Sequence, residues 1–412
     1  MPPLKIAMVS AQASPLAALG RGPCDSQVRH VAELACALAA RGHEVDVFVR
    51  KERSDQTDLV GMGPRVLIHR VVAGPAHPLP AAQLQPYLRE FGGRLTSAWA
   101  RRRPDVVHAH HWASGLAALP GARALGLPMV QTHHAGGRGD GGRAERRDAP
   151  AFALGELADR VIALWQHEGA ALCGLGLPLD RLSLVPCGVD LGHFGPGRRS
   201  RPRPGPPRLL VLGGLAADQG VETALRALHR LPEAEMTVVG GPMPERLASD
   251  PAAQRLRALA RELGLSSRFT LLGQIGPLRL PELLRSADVV VCPGWYQPLG
   301  APALQAMACG RPVVASSVGA HAELVTDGVT GRLVPPGNAG ALAMVLAQLL
   351  TEPGTRASLA ASGRRRTVER HGWQQVARET ERVYRSVMPE APAACGLGLT
   401  TAARDSAHAA AC

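Results

Sequence analysis

Residues 286–316 read Ser-Ala-Asp-Val-Val-Val-Cys-Pro-Gly-Trp-Tyr-Gln-Pro-Leu-Gly-Ala-Pro-Ala-Leu-Gln-Ala-Met-Ala-Cys-Gly-Arg-Pro-Val-Val-Ala-Ser. Two short runs, 288–292 and 313–316, are rich in valine and bracket a stretch punctuated by Pro293, Gly294, Gly300 and Gly310. Such runs lack the polar alternation of a half-exposed strand and suit parallel strands buried on both faces by helices. The same alternation of short apolar strands with longer amphipathic segments runs along the chain in both directions. Strands are expected at 5–10, 44–49, 66–72, 105–109, 129–132, 160–163 and 182–185, and again at 209–212, 236–240, 269–272, 288–292 and 313–316. Helices are expected between most of them, notably 27–40 and 81–102, with a last one at 373–387.

The pattern breaks at 195–207, Gly-Pro-Gly-Arg-Arg-Ser-Arg-Pro-Arg-Pro-Gly-Pro-Pro. Proline there fixes the backbone and removes donors, so neither a helix nor an interior strand can form. At 412 residues the chain is also too long for one ordinary core. The fold class expected is α/β, with two Rossmann-like doubly wound parallel-sheet domains facing across a cleft. The division is 1–195 on the acceptor side, a Pro/Arg linker at 196–207, and 208–372 on the nucleotide-sugar side. A helix at 373–388 returns to the first domain, and 389–412 is a disordered tail.

Hydrophobic residues make up 46% and aromatics 3%, so the interiors rest on Ala, Leu and Val. Of the 46 basic residues only Lys5 and Lys51 are lysines, and the net charge is +12. Arginine in this excess reads as coding bias as much as selection for an anionic partner. The basic runs at 101–103, 198–203 and 364–366 lack interleaved aromatics, so no nucleic-acid platform is expected. The eight cysteines are scattered without a CxxC pair, which favours reduced thiols and a cytoplasmic location. No apolar run approaches the ~20 residues needed to span a bilayer, leaving at most peripheral membrane contact.

Several segments share a more specific likeness: Ser14-Pro-Leu-Ala-Ala-Leu-Gly20, Gln27-Val-Arg-His-Val-Ala-Glu-Leu-Ala35, Pro104-Asp-Val-Val-His-Ala-His-His-Trp112, Val185-Pro-Cys-Gly-Val-Asp190, Met307-Ala-Cys-Gly-Arg-Pro-Val-Val-Ala-Ser316 and Asp327-Gly-Val-Thr-Gly331. In this order, over about residues 4–388, the chain resembles the retaining family 4 glycosyltransferases of the GT-B fold. It looks closest to their sucrose-phosphate synthase and D-inositol-3-phosphate glycosyltransferase branch. The resemblance implies transfer of a hexose from a nucleotide-sugar donor to a small hydroxylated or phosphorylated acceptor, with no further cofactor.

Set against the family pattern, the site residues are altered. Where paired glycines let bare backbone approach the diphosphate, this chain has Asp25 and Ser26. These either crowd the phosphates or cap the helix beginning near Gln27. Gly214 and Gln219 stand where an arginine and a lysine neutralise the departing diphosphate. Gln297 and Gln305 replace two glutamates that face the donor, beside Leu299 and Gly300. A neutral hydrogen bond stabilises by roughly 0.5–1.5 kcal/mol against about 1.5–3 for a charged one.

His110 and His134 match positions placed beside the donor sugar, and each also reads as a locally bonded histidine at a strand end. Strand alternation points His108 and His110 to one face and His111 to the other. With no carboxylate or cysteine nearby, no metal is expected. In the loop 135–149, Arg138 is one of four arginines suited to a phosphate, and Asp140 stands where the branch carries an acceptor-side lysine. Two readings stay open: an active transferase with altered donor recognition, or a non-catalytic relative that binds a ligand or a homologous active subunit.

Overall fold

The computed structural model describes residues 2–12, 14–19, 26–79, 83–134, 157–197, 205–295 and 299–389. The first half builds an eight-stranded sheet from Lys5–Ser10 (β1), Glu44–Arg50 (β2), Leu59–Gly63 (β3), Val66–Val71 (β4), Val106–His110 (β5), Met129–Thr132 (β6), Arg160–Ala163 (β7) and Leu182–Leu184 (β8). Its order is β3-β4-β2-β1-β5-β6-β7-β8, parallel except for the β3–β4 hairpin at one edge. Helices Ser26–Ala40 (α1), Leu88–Arg101 (α2), Trp112–Ala124 (α3) and Gln166–Gly174 (α4) connect and cover these strands.

The second half forms a six-stranded parallel sheet from Arg208–Leu212 (β9), Glu235–Val239 (β10), Phe269–Gly273 (β11), Val289–Cys292 (β12), Val313–Ser316 (β13) and Arg332–Val334 (β14). Its order is β11-β10-β9-β12-β13-β14. Val221–Leu228 (α5), Pro251–Glu262 (α6), Leu280–Ser286 (α7), Ala301–Ala308 (α8), Gly319–Leu324 (α9), Ala339–Thr351 (α10) and Pro353–His371 (α11) surround it. The valine-rich strands β12 and β13 are buried throughout, as continuous apolar runs require.

Trp373–Val387 (α12) leaves the second sheet and packs on α1 and β6. Its Val376, Val383 and Tyr384 join Ile6, Met8, Val31, Leu34 and Leu38 in one apolar cluster. The chain passes between the halves twice, and the two passages are joined. Val189 N–H donates to the His371 carbonyl at 2.7 Å, and His371 Nδ1 donates to the Cys187 carbonyl at 3.0 Å.

The helix expected at 81–102 begins later, at Leu88, after a 3-10 turn over Gln85–Tyr87. Pro86 disfavours helical backbone at the residue before it and has no N–H to donate, so the regular helix starts beyond it. The linker residues 198–204 and the tail from 390 lie outside the described residues.

Candidate functional site

Among the parallel strands of each sheet the order reverses once, between β1 and β5 in the first and between β9 and β12 in the second. Open parallel sheets bind ligands outside the carboxyl ends of the strands at such reversals. In the first sheet β5 ends there with His110, and His111 follows at φ 70°, a region rarely entered by residues with a side chain. His111 is held by the Gln12 amide, which donates to its Nδ1 at 2.6 Å, and by its own N–H, which donates to the Thr132 carbonyl.

Between the halves lies a cavity of about 540 Å³, within the range of small-ligand sites. Arg29, His30 and Glu33 of α1 line one side, Asp190 and His193 follow β8, and Leu299, Gly300 and Gln305 line the other side. Gly300 is left-handed at φ 63°, and a Cβ there would meet the Cβ of Ala320 at 3.1 Å, so a side chain would be strained by the backbone and crowded by its neighbour. Burial pushes the Glu33 carboxyl up and Asp190 adds to the shift, while Arg29 and His193 oppose it. Thus Leu299, Gly300 and Gln305 meet at the cavity.

His110 and His134 are buried and do not line the cavity, whereas His30 does. The three rings cluster, with centroids 5.8 Å apart for His30–His110, 5.3 Å for His30–His134 and 5.6 Å for His110–His134. Burial holds His30 down at about 4. Burial and the neighbouring imidazoles hold His110 and His134 well below the ordinary histidine value. All three are therefore neutral near pH 7. His30 Nδ1, His110 Nε2 and His134 Nδ1 are buried without hydrogen-bond partners, each at a cost of about 1–3 kcal/mol. His108 shares the face of His110, as alternation requires, with rings 4.1 Å apart. Its nitrogens are used elsewhere, on Tyr384 Oη at 2.7 Å and Thr132 Oγ1 at 2.6 Å.

At the reversal point of the second sheet, the loop after β9 closes on itself. The Gly214 N–H donates to Gln219 Oε1 at 3.3 Å, and Gln219 Nε2 faces Asp218 Oδ1 at 3.5 Å. Gly220, at φ 71°, lies so close to the loop after β12 that a Cβ would meet the Pro293 carbonyl oxygen at 2.1 Å. Neither Gly214 nor Gln219 lines the cavity. Ser26 is the first residue of α1. Asp25, Arg138, Asp140 and Gln297 lie outside the described residues.

Family models for Glycosyltransferase Family 4 and for Glycosyl transferases group 1 match residues 27–193 and 198–366. The chain belongs to the family 4 glycosyltransferases of the GT-B fold. It is 34% identical to the D-inositol 3-phosphate glycosyltransferase of Acidothermus cellulolyticus, over 94% of this chain and 91% of that protein. It is 35% identical to that of Xylanimonas cellulosilytica, over 94% and 98%. The solved sucrose-phosphate synthase from Thermosynechococcus elongatus superposes with a TM-score of 0.82 at 30% identity, covering 92% of this chain and 98% of that one.

In this glycosyltransferase, sequence reasoning missed Arg29, His30, Glu33, Asp190 and His193 as cavity residues. A usable signal was the i, i+3 spacing of His30 and Glu33, which puts both on one helix face. Glu323 joins the two domains. Its carboxylate accepts the N–H groups of Gln166 and His167 at 2.7 and 2.9 Å and faces His167 Nδ1 at 2.6 Å. It thereby caps the start of α4 from across the cleft, where a negative charge is favoured. Burial would raise the Glu323 carboxyl, but these contacts outweigh it and hold the group below its ordinary value.

Proposed function

We propose that this glycosyltransferase takes a nucleotide sugar in its interdomain cavity and is built to transfer a hexose, with retention, to a small hydroxylated or phosphorylated acceptor. We further propose that its rate of transfer is weak or lost. The relatives named as D-inositol 3-phosphate glycosyltransferases support an acceptor of that chemical class. In this reading Leu299, Gly300 and Gln305 contact the donor, together with Gln297, while Arg29 offers a cation from α1. The free thiols of Cys36, Cys173, Cys187, Cys292 and Cys309 suit a reducing compartment, and the cytoplasm is the proposed location.

The observation that carries the reading of weakened chemistry is the Gln219 amide, folded back on the Gly214 N–H. Departure of a nucleoside diphosphate builds negative charge, and a fixed donor aimed at such charge typically stabilises the transition state by about 2.7–4 kcal/mol. Here the loop presents no cation, and its amide oxygen is turned toward its own backbone. The simultaneous change at Gly214, Gln219, Gln297 and Gln305 also favours a second reading, a non-catalytic subunit that binds a ligand or an active homologue.

Calorimetric titration with uridine, guanosine and adenosine diphosphates, followed by a transfer assay with the matching hexose donors and inositol phosphate, tests both readings. Binding with turnover far below ~1 s⁻¹ is expected; turnover near the ordinary enzyme range would overturn the claim of weakened catalysis. Absence of nucleotide binding would overturn the donor-site assignment and leave the partner-subunit reading.

A further inference from the structure

We infer that His30, His110 and His134 form a binding site for a divalent transition-metal ion, with a fourth position open toward the interdomain cavity. One ring nitrogen from each histidine lies within 4.8 Å of the others. The best-placed pair, His110 Nδ1 and His134 Nε2, stands 3.4 Å apart. Two imidazole nitrogens bound to one tetrahedral zinc at 2.0–2.1 Å are separated by about 3.3 Å, so this pair already has the required spacing. The His30 nitrogen, within 4.8 Å of both, must close by up to about 1.5 Å to complete the set.

The three ligands come from separate elements that hold them firmly. His30 stands on α1 with the indole of Trp373 packed edge-on at 5.2 Å. His110 ends β5, paired in register with Thr132 of β6, and His134 lies two residues beyond that strand. The open position follows from burial. His110 and His134 are covered, whereas His30 lines the cavity, so an incoming water or ligand oxygen reaches the ion from that side.

A chain of hydrogen bonds does not account for the cluster. A neutral imidazole has one donor and one acceptor, and only the His110–His134 contact joins two of the rings through nitrogen. His30 Nδ1, His110 Nε2 and His134 Nδ1 remain buried without partners. An ion held by His110 Nδ1 and His134 Nε2 would replace their mutual contact and leave the opposite ring nitrogens as the N–H donors, with one nitrogen of His30 as the third ligand. An all-imidazole set suits zinc, copper or nickel and disfavours magnesium and calcium. The inference departs from the sequence expectation of no metal, because α1 contributes a ligand that the His108–His111 stretch does not contain. It does not depend on catalysis or on nucleotide binding.

The test uses the full chain, free of affinity tags, stripped with a chelator and titrated with Co²⁺ and then Zn²⁺. The expected result is one equivalent bound with a Kd below about 10 µM, giving a visible spectrum of tetrahedral Co²⁺ without a thiolate charge-transfer band. Zn²⁺ should displace the Co²⁺, and prior alkylation of the cysteines should leave binding unchanged. His30→Phe, which keeps an aromatic ring against Trp373, should weaken binding at least ~100-fold while retaining the circular dichroism of the parent. X-ray absorption on the zinc-loaded parent should count three imidazole ligands, and this measurement decides the matter if the variant misfolds. Absence of saturable binding, a sulfur ligand, fewer than three imidazoles, or unchanged affinity in His30→Phe would overturn the site.

Discussion

Tyr384 and His108 lie 276 residues apart and are joined by a 2.7 Å hydrogen bond. Burial keeps the Tyr384 hydroxyl protonated, far above its ordinary range, and holds the His108 imidazole neutral, at about 3. Either tautomer satisfies the group, because both the tyrosine and the threonine hydroxyl can donate or accept: one ring nitrogen donates and the other accepts. The last described helix is thus tied to the strand that ends at the candidate site.

Tyr384→Phe keeps the ring in its apolar surroundings and leaves His108 Nδ1 buried without a partner. It should lower unfolding free energy by about 1–3 kcal/mol, read from urea denaturation. Tyr384→Ala also opens a cavity and should cost about 3–5 kcal/mol. A Phe variant as stable as the parent would show that the hydrogen bond contributes nothing.

Glu381 gives the docking of α12 a sensitivity to acid. Burial would raise its carboxyl, but hydrogen bonds from Arg41 and Arg385 overcome this and hold it at about 2, below its ordinary 4.5. A lowered carboxyl contributes stability that is complete above about pH 5 and is lost as pH falls toward 2. Glu381→Gln should cost about 1–2 kcal/mol at neutral pH. Melting curves of parent and variant should converge near pH 2; parallel curves across the whole range would contradict the assignment.

Glu168 works in the opposite direction. Burial raises its carboxyl to about 7, against an ordinary 4.5, although the Leu164 and Trp165 N–H groups oppose the shift. The folded protein then holds a proton that the unfolded chain releases, so stability falls as pH rises from 4.5 to 7 and stays low above that. Glu168→Gln removes the ionisation and should gain about 1–3 kcal/mol at pH 8 relative to its effect at pH 4.5. An equal effect at both pH values would show that the native carboxyl titrates normally.

The loop after β9 predicts coupling between two substitutions. A Cβ at Gly214 would stand 3.3 Å from Gln219 Cγ, so Gly214→Arg alone must displace the Gln219 side chain. Gly214→Arg with Gln219→Lys should strengthen nucleoside diphosphate binding by more than the product of the single effects, by about tenfold or more. Adding Gln297→Glu and Gln305→Glu should strengthen it further. If the unmodified chain binds a nucleotide sugar tightly and the quadruple variant binds it worse, the amides determine specificity and the reading of weakened chemistry fails.

Most strands were legible because a parallel strand covered on both faces is buried along its whole length, as β5, β12 and β13 are, and so is built mainly of valine and other apolar residues. Leu59–Gly63 was missed because an edge strand with alternating exposure and two glycines carries no such run. β14 has only three residues. The identities at Gly214 and Gln219 revealed lost charge, but the turn that folds the amide back on the backbone depends on loop geometry. His30 escaped notice because a histidine within an amphipathic helix reads as a polar-face residue. Its convergence with His110 and His134 is made by sheet topology, which no local periodicity encodes.

The position of α12 also bears on the order in which the protein matures at the ribosome. The first domain contributes the early strands, yet its apolar cluster includes Val376, Val383 and Tyr384 from almost the end of the described chain. Translation must therefore pass through the whole second domain before that cluster is filled, and until then α1 presents an uncovered apolar flank. A nascent chain stalled before residue 373 should remain a client for chaperones, and a separately expressed 1–195 fragment should need the 373–387 peptide supplied in trans to become a stable, soluble domain.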